Sequence, residues 1–315
     1  MKMKNPFPYA LDNKRYLTWN YYLKNKYHQK VFKVPLNANF SCPNRDGKCG
    51  YGGCSFCGTL GSGDYAGDIQ DDLSTQFEKG CLMMKQKWPD GKPIAYFQAY
   101  TNTYAPLKTL KAIYDPFANR DDILAIAIAT RADCLEEETI QYLDSLCDQK
   151  ELWIELGLQS IYDETAKRLN RGHDYETFLN AIQRLSETRI KICVHLINSL
   201  PDENEEKMLN SAKALAKLPI HAVKIHMLHI CKKTKLNEEY QNSPFSLLTL
   251  EEYVDIVIKQ LECFPSHFII QRLTGDAVKE DLVAPMWTLN KTNVLNSIDK
   301  EMVLRNTWQG KKYRL

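Results

Sequence analysis

From residue 90 onward the sequence alternates between short apolar runs and amphipathic stretches of helical length, and this rhythm limits the fold more than any other feature. The runs 94–98, 123–129, 152–158, 190–197 and 222–230 are largely apolar without strict alternation, as strands covered on both faces must be. Between them, 136–147, 174–186 and 204–217 repeat their apolar residues at helical spacing. An earlier run at 31–36 reads as the first strand. Strands alternating with helices call for a parallel sheet with right-handed crossovers, here about six βα units. Six are too few for an eightfold barrel and suit a partial, TIM-like (β/α)6 barrel of the α/β class. After it come a helix at 248–261, a short strand at 268–271 and a further helix. The expected organisation is an N-terminal segment at 1–33, a barrel core at 34–235 and an extension at 236–315 packed on that core.

Composition narrows the function classes. A chain of 315 residues with 44% hydrophobic content buries a core readily, so disordered, collagen-like and disulfide-stapled classes are excluded. No run of 18 apolar residues occurs and the first residues lack an apolar signal core, so neither a membrane span nor a secretory signal is expected. Ten Cys without such a signal point to a reducing, cytoplasmic compartment, where Cys binds metal, performs catalysis or fills the core. The net charge of +2 hides an uneven distribution: residues 1–33 hold eight Lys/Arg against one Asp, and residues 301–315 hold four against one Glu. The ends are basic and the middle is acidic. Within the first segment, Tyr9, Tyr16, Trp19, Tyr21, Tyr22 and Tyr27 interleave with Lys14, Arg15, Lys24 and Lys26. Cations for phosphates and rings for unpaired bases suit single-stranded RNA; a helix laying its rings on the barrel explains the same pattern.

In a parallel α/β barrel the loops after the strands form the active face. Polar or Gly-rich chemistry falls at six such positions: the Cys-rich loop, Gln98 to Tyr104, Thr130-Arg131, Gln159-Ser160, Asn198 to Pro201, and His229 to Thr234. The Cys-rich loop is the most specific. Cys42, Cys49, Cys54 and Cys57 fall within sixteen residues, and the Cys54-x2-Cys57 pair places two thiolates on one turn. Gly52-Gly53 just before it permits a tight curl. Four thiolates could close a structural zinc site, although zinc ribbons generally use two separated C-x2-C knuckles and this loop has one. Three thiolates could instead hold a [4Fe–4S] cluster with one iron open to a ligand.

Lys33-Val34, Cys42-Pro43-Asn44-Arg45-Asp46-Gly47, Gly52 to Cys57 with Phe56 before the last Cys, and the GSGDYAG segment at 61–67 together carry a family resemblance. The chain resembles radical S-adenosylmethionine (SAM) enzymes, in the branch close to the catalytic subunit of Elongator and to oxygen-independent coproporphyrinogen oxidases. The likeness runs over nearly the whole chain. It implies a [4Fe–4S] cluster on Cys42, Cys54 and Cys57, with SAM on the open iron. The branch pattern lacks a Cys at 49, so Cys49 is a departure, either a spare thiol or the first ligand. The resemblance also places Gln98 and Thr101 near the SAM amine, Glu155 and Gln159 near its ribose or methionine, and Arg171 of the Asn170-Arg171-Gly172-His173 box on its carboxylate. Phe56 and His195 complete the expected cofactor contacts, and Lys33, Arg272 and Asp276 are candidate substrate contacts. Elongator-like relatives act on C5 of the tRNA wobble uridine. The resemblance therefore implies tRNA as substrate, with conversion of a carboxymethylaminomethyl group toward aminomethyl and a flavodoxin- or ferredoxin-type reductant. A radical SAM enzyme acting on a small molecule, and a zinc-stabilised RNA-binding protein without catalysis, are the competing readings.

Overall fold

The computed structural model describes residues 5–9, 14–58, 61 and 66–314. Six strands follow the expected order: β1 (Val31–Leu36), β2 (Lys92–Phe97), β3 (Ala125–Thr130), β4 (Glu151–Gln159), β5 (Lys191–Asn198) and β6 (Ala222–Met227). The apolar run at 222–230 does not continue as one strand. It breaks after Met227, and β7 (Ile230–Cys231) turns away to pair antiparallel with β9 (Leu282–Ala284). A run of apolar residues carries no mark of where the partner strand changes. β8 (Ile269–Arg272) pairs parallel with β6, so one sheet runs β1-β2-β3-β4-β5-β6-β8. The result is a curled, partial TIM-like barrel with seven parallel strands among the described residues.

Helices cover its outside: α2 (Leu73–Lys87), α3 (Leu107–Ala118), α4 (Glu137–Leu146), α6 (Tyr175–Ser186), α7 (Glu205–Leu215) and α9 (Leu250–Cys263). Asp72, Asp174, Asn204 and Thr249 cap α2, α6, α7 and α9 with their side chains, whereas α3 and α4 have no side-chain cap. Asp174 accepts from the Thr177 amide at the head of α6, and Thr249 with Glu252 forms a capping box on α9. Short α5 (Asp163–Arg168) and α8 (Lys235–Asn242) lie at the loop end of the barrel, and α10 (Lys291–Leu304) packs on α9. No helix among the described residues is long and apolar enough to cross a membrane.

Strand alternation sorts the barrel interior into levels. The lowest level holds Val31, Ile94, Ala125, Trp153, Cys193, Ala222 and Ile269, an apolar floor. The first helix, α1 (Trp19–Tyr27), seals it from below. Trp19 meets Trp153 edge-on with centroids 5.0 Å apart, and Tyr22 donates to Glu151 at 2.9 Å. The rings of α1 therefore face inward, onto the barrel, whereas Tyr9 is exposed. The other basic end arrives at the same place: Arg15 reaches Asn306 at 3.1 Å and the Thr307 carbonyl at 3.3 Å, and the Leu17 amide donates to Gln309 at 2.8 Å. Arg15, Leu17 and the segment from Asn306 to Gln309 thus meet at the closed end of the barrel, opposite the loops that follow the strands.

Candidate active site

The Cys-rich loop follows β1 and folds on itself through local bonds. The Arg45 amide donates to the Cys42 carbonyl at 2.8 Å, Cys49 to Pro43 at 2.9 Å and Gly53 to Asn44 at 2.7 Å. Gly53 sits at φ 77°, and a Cβ there would lie 2.9 Å from Arg45 Nε, so only glycine suits the turn. A second loop, after α5, clamps the first. The Ser55 amide donates to the Leu169 carbonyl at 2.9 Å and the Asn170 side chain to Gly53 at 2.8 Å, while Asn44 reaches the Asn170 carbonyl. This clamp carries Arg171 to the thiols. Its Nη1 lies 3.3 Å from Cys54 Sγ, and its Nη2 donates to the Gly157 carbonyl at 2.6 Å.

Cys42, Cys54 and Cys57 line one side of a cavity of about 380 Å³ that runs down into the barrel. Hydrogen bonding from Cys57 and the Arg171 guanidinium hold the Cys54 thiol well below the usual thiol range, against the effect of burial. Cys49 faces elsewhere. It lines a neighbouring recess with Asp133, Cys134 and His173, and its sulfur is 3.7 Å from Arg131 Nη2. His173 lies in that same recess, where burial and Arg171 push it down to about 4.

The remaining expected residues separate by position. Phe56, Gln98, Thr101, Glu155, Gln159, Arg171, His195, Arg272 and Asp276 all line the main cavity. Lys33 lies behind the wall, where its ammonium donates to Glu155 at 2.6 Å and to Gln271 at 3.0 Å. Thr130 bonds to Thr103 at 2.6 Å and so braces two loops. Residues 62–65 of the GSGDYAG segment lie outside the described residues. Gln98 is followed by Ala99 at φ 74° and Tyr100 at φ 58°, a twisted turn that the Asn102 side chain fastens to the Ala99 and Ala129 carbonyls. Strict alternation predicts Glu155, Gly157 and Gln159 on one side. The β4–β5 register slips between Gly157 and Gln159, and Gln159 adopts φ 68°. The Gln159 amide then folds back over Gly157, where a Cβ would approach its Nε2 to 2.7 Å.

Glu155 is the most buried ionic group of the site, with Lys33 and Lys224 bridging to it and His195 Nε2 3.3 Å away. Burial alone would push its carboxyl up, but the two ammonium groups outweigh it and hold it well below the ordinary value. Burial pulls Lys224 down to about 8 despite Glu155, and takes His195 down to about 4, so the imidazole is neutral near pH 7. Lys224 and Tyr96 were given no role in the site, yet both line the cavity beside His226, whose place on the strand suits a polar lining residue. The signal for Lys224 was a lysine in the middle of an apolar strand, on the same face as His226.

The site fits a cluster and a polar cofactor on its own chemistry. Three thiols share one wall with an arginine at sulfur distance. Buried atoms without partners, including Thr101 Oγ1, Gln159 Oε1, Arg171 Nε and His226 Nε2, belong to residues of that cavity, and each is costly unless a ligand engages it. Among the described residues, no three His, Cys, Asp or Glu side chains form a group that could hold a single metal ion.

A partial α/β barrel with three cysteines and an arginine at its open end defines a class of cofactor-dependent enzyme in which the barrel encloses the reaction. Residues 46–215 match the radical SAM superfamily and residues 220–303 the radical SAM C-terminal domain. The chain belongs to the radical SAM superfamily, whose enzymes use a [4Fe–4S] cluster and SAM. It is 44% identical over 314 residues to the uncharacterized protein YtqA of Bacillus subtilis, covering 100% of this chain and 98% of that one. It is 28% identical over 156 residues to the tRNA uridine(34) acetyltransferase of Methanocaldococcus infernus, which spans 49% of this chain and 29% of that protein. Among solved structures, the archaeal M. infernus Elp3 with an N-terminal deletion superposes with a TM-score of 0.67 at 18% identity, covering 89% of this chain and 64% of that one. That likeness establishes the shared fold.

Proposed function

We propose that this radical SAM enzyme modifies the C5 side chain of the tRNA wobble uridine, converting a carboxymethylaminomethyl group toward aminomethyl. The observation that carries the reading is the likeness of half the chain to a protein named for acting on uridine 34 of tRNA. Cys42, Cys54 and Cys57 would hold the cluster, and Arg171, Gln159, Gln98 and Thr101 would hold SAM at the cavity wall. When bound, the pair supplies reductive carbon–sulfur cleavage and, through it, removal of a hydrogen atom from an unreactive carbon. The chain's own residues position that carbon and exclude water, which is the main protein contribution when a cofactor performs the chemistry. A flavodoxin- or ferredoxin-type protein would deliver the electron.

The placement of charge refines how RNA would approach. The described parts of the basic ends meet at the closed floor, so the base would instead meet the mouth, where Arg45, Lys232 and Lys233 line the cavity. Lys48 on the Cys-rich loop stands over the Tyr104 ring at 5.2 Å. These cations would meet phosphates around an extruded nucleotide. Nucleoside analysis of tRNA from a strain lacking the gene tests the reading. Carboxymethylaminomethyl uridine should accumulate at the wobble position, and unchanged wobble uridines would remove the assignment.

A further inference from the structure

One end of the cavity holds more positive charge than its own carboxylates balance. Glu155 faces two ammonium groups, Lys33 and Lys224, and Asp276 faces both Arg272, at 2.8 Å, and Lys291. Each carboxylate is outnumbered two to one. Glu155 and Lys224 are almost wholly enclosed, where an unbalanced charge is costly.

The hydrogen-bond inventory gives a second, independent sign. An ammonium can only donate, so the 3.0 Å bond from Lys33 turns the Gln271 carbonyl oxygen toward it. Gln271 Nε2 is thereby fixed as a donor, and it is buried with no acceptor. Lys224 has three N–H bonds; it directs one to Glu155 and a long one of 3.5 Å to Tyr96. The neutral His195 and His226 side chains of this end are unpartnered at Nε2 as well, so what the donors lack is an anionic acceptor.

Backbone register explains how the donors come together. Along β6 and β8, Val223 pairs with Ile270, but Lys224 pairs with Arg272, skipping Gln271. Register partners in a parallel ladder share a face, so the slip sets Arg272 beside Lys224. Gln271 still reaches inward to Lys33. A bulge of this kind re-aims a side chain at the price of one ladder position.

We propose that the β6–β8 side of the cavity is an anion subsite that takes a carboxylate of the substrate, with Lys224 Nζ and the Arg272 guanidinium, which both line it, as its donors. It rests on the function proposed above, whose substrate side chain ends in a carboxylate, and it names the residues that select that side chain over uncharged ones. The cations nearest the thiols, Arg131 and Arg171, come from the loops after β3 and α5 and leave this group free for a second anion. The lowered pKa of Lys224 agrees, since an anion at this position would favour its charged form.

Two binding measurements on the anaerobically reconstituted holoenzyme test the subsite. The first uses saturation-transfer NMR with sarcosine and with its neutral analogue sarcosinamide, so that no nucleoside is involved. Sarcosine should give the stronger signal, and Arg272→Gln or Lys224→Met should remove the difference. Arg272→Gln alters the more exposed position and serves if Lys224→Met does not fold. Equal signals from the two compounds would overturn the proposal, as would loss of the sarcosine signal on saturation with SAM, which would assign the donors to the SAM carboxylate. The second compares 5-carboxymethylaminomethyluridine with its methyl ester by calorimetry, where the acid should bind at least about tenfold tighter, as expected for charge-assisted bonds. Equal affinities there would also overturn the subsite. Sarcosine discrimination together with unchanged wobble uridines in the deletion strain would keep the subsite and discard the tRNA assignment.

Discussion

Two residues of one strand mark the contrast that organises this molecule. Trp153 on β4 is wholly buried in the barrel floor, packed edge-on against Trp19. Glu155, the next inward residue, is equally buried but surrounded by Lys33, Lys224 and His195. The floor gains from water exclusion and ring packing, which need no specific partner. The level above depends on a carboxylate shared by two ammonium groups, so removing that carboxylate alone is destabilising. A barrel of this kind separates the part that holds it together from the part that can bind.

Substitutions at the three levels put that contrast to the test. The largest effect is expected at the mouth: Cys54→Ala should lower iron from about four per chain to near zero after anaerobic reconstitution. Cys49→Ala should leave iron unchanged, and a loss there would move the first ligand from Cys42 to Cys49. At the floor, Trp153→Ala should destabilise the fold by about 3–5 kcal/mol in denaturant unfolding while the remaining folded protein still binds iron. Glu155→Leu should destabilise by a similar amount, about 3–5 kcal/mol, because it leaves two buried ammonium groups without their carboxylate. If it proves neutral, the middle level is wetter than the geometry shows and the contrast fails.

Smaller effects discriminate further. Gly157→Ala should weaken SAM binding by about tenfold with little change in stability, since the new Cβ would displace the Gln159 amide. The floor also contains a titrating group, His221, which burial takes down to about 4 and whose Nδ1 accepts the Ile192 amide at 3.1 Å. In the unfolded chain it protonates near its ordinary value of about 6.5. Between those values the unfolded state binds more protons, so stability should fall as pH drops from about 6.5 toward about 4. His173 and His195 contribute to the same slope, so His221→Asn should reduce it in pH-dependent melting curves without abolishing it.

How much of this was legible in the sequence follows from the physics of each element. The strands of the core were readable because parallel strands covered on both faces become apolar runs. The Cys-rich loop stood out because its Cys spacing is local; the residues named from the resemblance line one cavity, with Lys33 standing behind its wall. The bulges were not readable. Nothing in Ile270, Gln271 and Arg272 states that the ladder will skip one of them, because register depends on the partner strand. The aromatic N-terminal segment allowed two readings, RNA contact or rings laid on the barrel; α1 follows the second, but the pattern did not say that the place would be the floor. That assignment depends on Trp153, more than a hundred residues away.

The meeting of the two ends has a practical consequence. Arg15 and Leu17 are stitched to Asn306, Thr307 and Gln309, so the described ends of the chain leave the barrel side by side, behind the floor. A tether or fusion partner added at either end would project away from the mouth. Enzyme immobilised by its tail would present the open cavity outward, and a circular permutant joining the old ends by a short linker would have little distance to span.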